Sequence, residues 1–274
     1  MKSGGQYIIK SPAWTKTYRL YTVGDIHMHA RGCDMALLRQ TIKAIKEDPR
    51  ARWIGMGDYF EWIDIHDPRF NPRNVARTAF KAILLGMADE CIDEFVELFG
   101  PIRKKCIGLL QGNHDRKYSI NYSRRVIKEI ADELKVPYLY YSCFRDIVFQ
   151  GRGRSEKFRI YAHHGAGSAQ TKGGKLNRLE RFMRWFDADI HIIGHIHAKL
   201  DDDVIELGAN EDCTKLVQRK RLGVVSGTYL RTYVEDDDES DAGYGEVAAY
   251  EPAPLGSPVI TIVPEGRKLG VQKD

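Results

Sequence analysis

The sequence predicts an α/β fold with a parallel core sheet, and three observations point to it. Apolar runs short enough for buried strands recur at residues 18–23, 52–56, 106–110, 158–162 and 189–193. Each leads abruptly into glycine and polar side chains: Gly24-Asp25-Ile26-His27, Gly57-Asp58, Gly112-Asn113-His114-Asp115, His163-His164-Gly165 and Gly194-His195-Ile196-His197. An amphipathic helical stretch separates the first two runs, and strand, helix, strand is a βαβ unit that implies parallel pairing. Such sheets deliver chemistry at the carboxyl ends of their strands.

Taken in order, residues 1–16 read as a loose N-terminal segment. Asp34 is placed to cap a helix over 35–46, where Met35, Leu38, Ile42 and Ile45 recur at spacings of three and four, and Asp48-Pro49 stops it. The aromatic, Asp- and Pro-rich stretch 59–74 predicts a long loop. A helix over 75–99, broken near Gly86, ends at Gly100-Pro101. A third helix over 123–134 carries Val126, Ile127, Ile130 and Leu134 on one stripe. Short strands over 138–141 and 147–150 precede a basic turn at 151–155. The flexible stretch 165–174 leads into a basic helix over 175–186, with Leu176, Leu179, Phe182, Met183 and Phe186 inward and Lys175, Arg178, Arg181 and Arg184 outward. The remainder predicts strands at 204–207, 215–218, 222–228, 245–250 and 258–263. No repeat or linker divides the chain, so residues 1–274 are expected to form one domain.

Composition restricts the function classes. The chain is 43% hydrophobic and 29% charged, as in soluble globular proteins. No apolar run reaches membrane-spanning length, and residues 1–11 lack the charged start and apolar core of a signal peptide, so a cytoplasmic location and no membrane partner are expected. Five scattered cysteines without a C-x-x-C pair predict reduced thiols rather than a disulfide framework or zinc knuckle. A net charge of +4 proves no polyanionic partner by itself.

Each polar motif alone is common. Together, Asp25, His27, Asp58, Asn113, His164, His195 and His197 place seven oxygen or nitrogen donors at predicted strand ends, in a chain with nine histidines. Such a mixed set suits Mn, Fe, Zn, Co or Ni rather than Ca, which prefers all-oxygen cages. Two such ions about 3.5–4 Å apart can hold a bridging hydroxide and clamp a phosphoryl group for in-line displacement. Phosphoester hydrolysis is therefore the expected chemistry.

In this order, Asp25-x-His27, Gly57-Asp58, Gly112-Asn113-His114-Asp115, a His-Gly step and Gly194-His195-x-His197 resemble the calcineurin-like metallophosphoesterases over residues 18–198. The resemblance implies a four-layer αββα sandwich of two mixed sheets flanked by helices, the metallo-dependent phosphatase-like fold. It implies two divalent ions, Mn first among the candidates. Asp25, His27 and His197 would bind one, Asn113, His164 and His195 the other, and Asp58 would bridge. His114 would protonate the leaving oxygen and Asp115 would orient or tune His114. Of the doublet, His164 is the implied ligand because it directly precedes glycine, leaving His163 a packing or supporting role. The family often carries aspartate three residues after the bridging one; Glu61 stands there, implying a lost or replaced supporting contact.

Asp25-x-His27-x-His29 also looks like the opening of polymerase-and-histidinol-phosphatase barrels, whose later ligands follow another order. His29 is read as a substrate-side or surface residue, His66 and His191 as structural, and Asp201 to Asp203 as a solvated turn. Lys172, Lys175, Arg178, Arg181 and Arg184 beside a ligand, with Tyr59, Phe60 and Trp62 as stacking surfaces, suggest a polyanionic substrate. A phosphodiesterase acting on DNA or RNA, similar to the DNA-repair exonuclease branch, is the leading expectation. A phosphatase or phosphodiesterase for small nucleotides is the alternative, and an inactive scaffold that kept the fold comes third. The oligomeric state is not legible.

Overall fold

The computed structural model describes residues 1–62, 70, 88–167, 169–235 and 244–272. Two mixed sheets form an α/β sandwich. In the five-stranded sheet, β2 (Tyr18–Val23), β3 (Ala51–Gly55) and β4 (Cys106–Leu109) run parallel, and β10 (Val259–Val263) and β11 (Lys268–Val271) extend it antiparallel beyond β2. The six-stranded sheet has the order β1 (Lys2–Lys10), β5 (Ser142–Gly151), β6 (Arg154–His163), β7 (Ile190–Ile193), β9 (Leu216–Ser226), β8 (Lys199–Ala209), with β6, β7 and β9 parallel.

Successive side chains of a strand point to opposite faces, and the central strands use both. In β3, Trp53 joins a core with the helices while Ile54 joins the core between the sheets. Helices α1 (Met35–Glu47), α2 (Ala88–Phe99) and α4 (Val126–Leu134) cover the five-stranded sheet through Leu38, Ile42, Phe95, Phe99, Ile127 and Ile130. Between the sheets, Leu20, Ile54, Ile107 and Leu110 meet Phe149, Phe158, Ile160, Ile192 and Val224. Helix α5 (Lys172–Trp185) covers the six-stranded sheet with Leu179 and Met183 against Ile193 and Val225. Each fully buried aliphatic or aromatic side chain of this kind contributes roughly 1.5–3 kcal/mol, so these three cores dominate the stability of the sandwich. As Asp34 predicted, its Oδ1 accepts from Leu37 N at 2.9 Å and caps α1.

Several expectations are corrected. The N-terminal segment is not loose: β1 pairs in parallel with β5, from Lys2 beside Cys143 to Lys10 beside Gln150. Residues 138–141 contribute one bridge, Tyr138 to Leu109, and the strand begins at Ser142. Residues 215–218 and 222–228 fall mostly within one continuous strand, β9, and Asp201 to Asp203 lie in its partner β8, where Lys220 Nζ meets Asp203 Oδ2 at 3.0 Å. Residues 245–250 are not a strand; the short helix α6 (Tyr244–Val247) occupies that place. An additional helix, α3 (Asn113–Asn121), starts inside the Gly112 motif. His66 and the expected break at Gly86 lie outside the described residues. All five cysteines are free thiols, four wholly or partly buried and Cys213 exposed. Among the described residues no helix is long and apolar enough to cross a membrane.

Candidate metal centre

The parallel strands of both sheets end at the same edge. Asp25 and His27 follow β2, Asp58 follows β3, Asn113 opens α3 after β4, His164 follows β6, and His195 and His197 follow β7. Turning the chain so sharply strains it: Asp25, His27, Asp58, His195 and His197 all have positive φ, between 42° and 71°. Left-handed backbone at a non-glycine residue costs on the order of 1–3 kcal/mol and persists where the surroundings impose it, typically at functional sites.

Two donor groups result. In the first, His27 Nε2 lies 3.3 Å from His197 Nε2, which lies 3.5 Å from Asp25 Oδ1. In the second, His164 Nε2 lies 3.2 Å from Asp58 Oδ2, with His195 alongside and Asn113 Oδ1 2.9 Å from His164 Nε2. All seven sequence-derived donors are therefore at this edge, and of the histidine doublet it is His164 that turns in. His163 accepts from Gly165 N at 2.8 Å and packs on Phe182.

Hydrogen bonds on the far side of each ring decide which nitrogen faces inward. His164 Nδ1 donates to Met56 O at 2.8 Å, and His27 Nδ1 donates to Glu61 Oε2 at 2.7 Å. In the neutral rings the Nε2 lone pairs then point into the cluster, at carboxylate oxygens and another imidazole. The Asn113 oxygen position likewise faces only acceptors: His195 Nδ1 at 2.6 Å, His164 Nε2 at 2.9 Å and Asp58 Oδ2 at 3.1 Å. Converging lone pairs repel unless protons or a cation stand between them, so this donor set fits metal ions, and backbone and carboxylate partners fix the ligating tautomers.

The electrostatics agree. Burial alone would raise Asp58, but the imidazoles of His164, His114 and His27 hold it well below the usual carboxylate range. Asp25 is lowered despite burial, through His197 and His164. Burial would lower His164, yet Asp58 and its hydrogen bond raise it to about 9. Burial and the positive charge of His164 push His195 down to about 4. Such mutual perturbation marks a cluster that holds positive charge in its centre.

No family model matches the chain, and neither does any curated protein.

His114 and its neighbours complete the edge. His114 Nδ1 donates to Glu61 O at 2.7 Å, and its ring lies edge-on to that of His27, with centroids 4.9 Å apart. Glu61 thus orients two imidazoles, one through its carboxylate and one through its carbonyl. The side-chain contacts of Asp115 lie with backbone and Trp62. Its Oδ2 accepts from Asp58 N and Gly112 N, both at 2.9 Å, and its Oδ1 from Trp62 Nε1 at 3.0 Å, so it ties the Asp58 and Gly112 turns together. Burial and the nearby Asp58 charge push Asp115 up to about 7, against the pull of these donors.

The polyanion surface drawn from sequence also changes. Tyr59 and Phe60 are fully buried and Trp62 serves Asp115, so these rings offer no stacking face. Lys175 is buried, Arg178 half-buried and Arg184 paired with Glu180 at 2.5 Å, so α5 presents no continuous cationic stripe. His29, read as a substrate-side or surface residue, pairs through Nε2 with Glu94 at 2.7 Å. Residues missed by sequence reasoning include Ser226 and Thr228, which donate to Asp25 Oδ2 at 3.4 Å and Asp25 O at 2.8 Å. Hydroxyl residues after a strand carry no distinctive pattern; only their position at the end of β9 could have signalled them.

Proposed function

We propose that this chain is a dimetal-dependent phosphoester hydrolase, a phosphodiesterase acting on nucleic acid, with the metallo-dependent phosphatase-like fold and a cytoplasmic location. The observation that carries the reading is the pair of adjacent donor groups, Asp25-His27-His197 and Asp58-Asn113-His164-His195, with ring nitrogens preset to face inward. It is supported by the resemblance of the motif series to calcineurin-like metallophosphoesterases. A mixed nitrogen and oxygen set of this kind suits Mn first, with Fe, Zn, Co or Ni as substitutes.

Two divalent ions, when bound, supply the positive charge that clamps a phosphoryl group and the acidity that makes water a nucleophile near neutral pH. The remaining work falls to the chain. Asp58 lies within the electrostatic reach of His27 as well as His164, which suits a carboxylate shared between the two groups. With Nδ1–H donating to Glu61 O, the imidazolium form of His114 carries a second, transferable proton on Nε2 and donates it to the departing oxygen as general acid. Asp115 holds Asp58 and Gly112 in place. A phosphatase or phosphodiesterase for small nucleotides is the second reading, favoured by the cavity of about 270 Å³ beside Asn113.

Metal analysis of the purified protein, joined to an aryl phosphodiester assay with added Mn, tests the reading. Bound divalent metal and turnover abolished by chelation are expected. Neither metal nor turnover would overturn it.

A further inference from the structure

Beside the metal centre, the cavity lined by Asn113, Arg116 and Tyr141 shares Arg116 with a second, larger hollow of about 480 Å³, whose wall includes Gln111, Ser119, Ser123 and Arg125. The two form one path that starts at a candidate ligand and leads away along α3. Its volume exceeds what a phosphate needs and lies in the range of organic ligand sites.

Among the described residues, the charge lining this path is not paired with acid. Arg124, next in sequence, is tied to Asp89 at 2.6 Å and Glu129 at 2.8 Å. Among the described residues Arg116 and Arg125 pair with no carboxylate, and both are exposed. Guanidinium groups held in the open without an acid partner are suited to phosphate, which they bind bidentately.

Aromatic rings flank the same wall. Tyr138 Oη donates to Gln111 Oε1, Gln111 N donates to Tyr140 O at 2.7 Å, and the Tyr138 and Tyr140 rings lie 4.8 Å apart at 33°. Tyr140 has φ of 60° and is 45% exposed. A bulky residue held in left-handed backbone with its ring in solvent is an expensive arrangement for packing alone. Alternating cations and exposed rings form the usual surface for an unpaired nucleic-acid strand, in which phosphates meet arginine and bases stack on aromatics.

We infer that Arg116, Arg125 and the Tyr138–Tyr140 ring pair form a track for a single-stranded polynucleotide leaving the metal centre past Asn113. The inference rests on the proposed phosphodiesterase reading and names its substrate class. Arg116 meets the phosphate next to the scissile one, Arg125 meets a phosphate further along, and Tyr140 stacks a base between them. A duplex cannot present unstacked bases to these rings, and a mononucleotide does not reach Arg125.

The test uses the full, Mn-loaded chain and a labelled, phosphorothioate-linked oligothymidylate, with binding read by fluorescence anisotropy across salt concentrations. Arg125→Gln should weaken binding and lower the slope of log K against log salt by about 0.7, the value for one strand phosphate. Tyr140→Ala should weaken it by about tenfold with the slope unchanged. The same strand annealed to its complement should bind less tightly than the single strand. Thermal melts check that each variant is folded. Equal binding by wild type and both variants, or tighter binding of the duplex, would overturn the track. Aryl diester turnover, measured in parallel, reads the centre separately. If the diester is hydrolysed and the strand is not bound, the track fails and the small-nucleotide reading gains. If neither metal nor turnover is found, the hydrolase reading fails instead.

Discussion

Glu61 Oε2 and His27 Nδ1 meet at 2.7 Å, and the same glutamate offers its carbonyl to His114 Nδ1 at 2.7 Å. One residue therefore sets the tautomer of a candidate ligand and holds the ring of the candidate acid. Glu61→Ala should lower metal affinity by roughly 10- to 100-fold, the usual effect of removing a partner behind a ligating histidine. Glu61→Gln, whose amide oxygen can still accept from Nδ1, should lose less. Competition with a fluorescent chelator measures both, and equal affinity in Glu61→Ala and wild type would count against the orienting role.

Asp58 and His114 should separate by function. Asp58→Ala should lose bound metal. His114→Ala should retain it and lose about 10²- to 10⁴-fold in turnover of alkyl diesters, with a smaller loss for aryl diesters whose leaving group needs no proton. Metal analysis and steady-state rates on both substrates decide this. Equal metal loss in the two variants would refute the division of roles.

Gly112 packs against the Asp58 turn so closely that an added Cβ would lie 2.0 Å from Asp58 Oδ1 and 2.3 Å from Asp58 N. These are backbone and buried ligand atoms that have no room to retreat. Gly112→Ala should cost about 1–3 kcal/mol of stability and weaken metal binding with it. Urea denaturation and metal analysis of the variant supply the measurement. A stable, metal-replete Gly112→Ala protein would show that the turn can relax.

His191 gives a pH dependence away from the centre. It is fully buried, and its Nε2 donates to Phe186 O at 2.8 Å. Burial lowers its pKa, and the Phe186 carbonyl only partly opposes that. The unfolded chain takes up this proton near pH 6.5, before the folded chain does, so the stability is fully present above that pH and falls as pH drops below it. The slope is at most about 1.4 kcal/mol per pH unit for one proton. His191→Leu should flatten this fall without orphaning Phe186 O, which also accepts from Arg221 Nη2 at 2.6 Å. Urea midpoints of both proteins at about pH 7.5 and pH 5.5 test it, and parallel pH profiles would exclude His191 as the source.

The βαβ core and the seven donors were legible because burial on both faces demands continuous apolar runs, and the sharp turns after them demand glycine and short polar residues. What escaped was relational. Asp115 reads as a partner of its neighbour His114, but a helix starting at Asn113 turns its carboxylate back onto Asp58 N and Gly112 N. Strand β1 was hidden because its Gly-rich start lacks alternation, and its pairing is supplied by β5, far away in sequence. Tyr59 and Phe60 looked available for stacking because sequence cannot tell an aromatic loop from one folded into the core, where Phe95 packs on both. Arg116 and Arg125 were inconspicuous among 42 basic residues until Arg124 was seen to pair with Asp89 and Glu129 while, among the described residues, these two pair with no acid.

The rings of His27 and His197 meet across 170 residues of chain, and the Asn113 amide meets His164 across 51. Neither donor group can exist until both sheets have formed and docked, so the centre is among the last features to assemble during folding. A partly synthesised or partly folded chain therefore presents scattered single donors with little hold on a metal. On the proposed hydrolase reading, reactivity toward phosphoesters is thereby withheld from immature forms of the protein, and metal capture becomes a report that folding is complete.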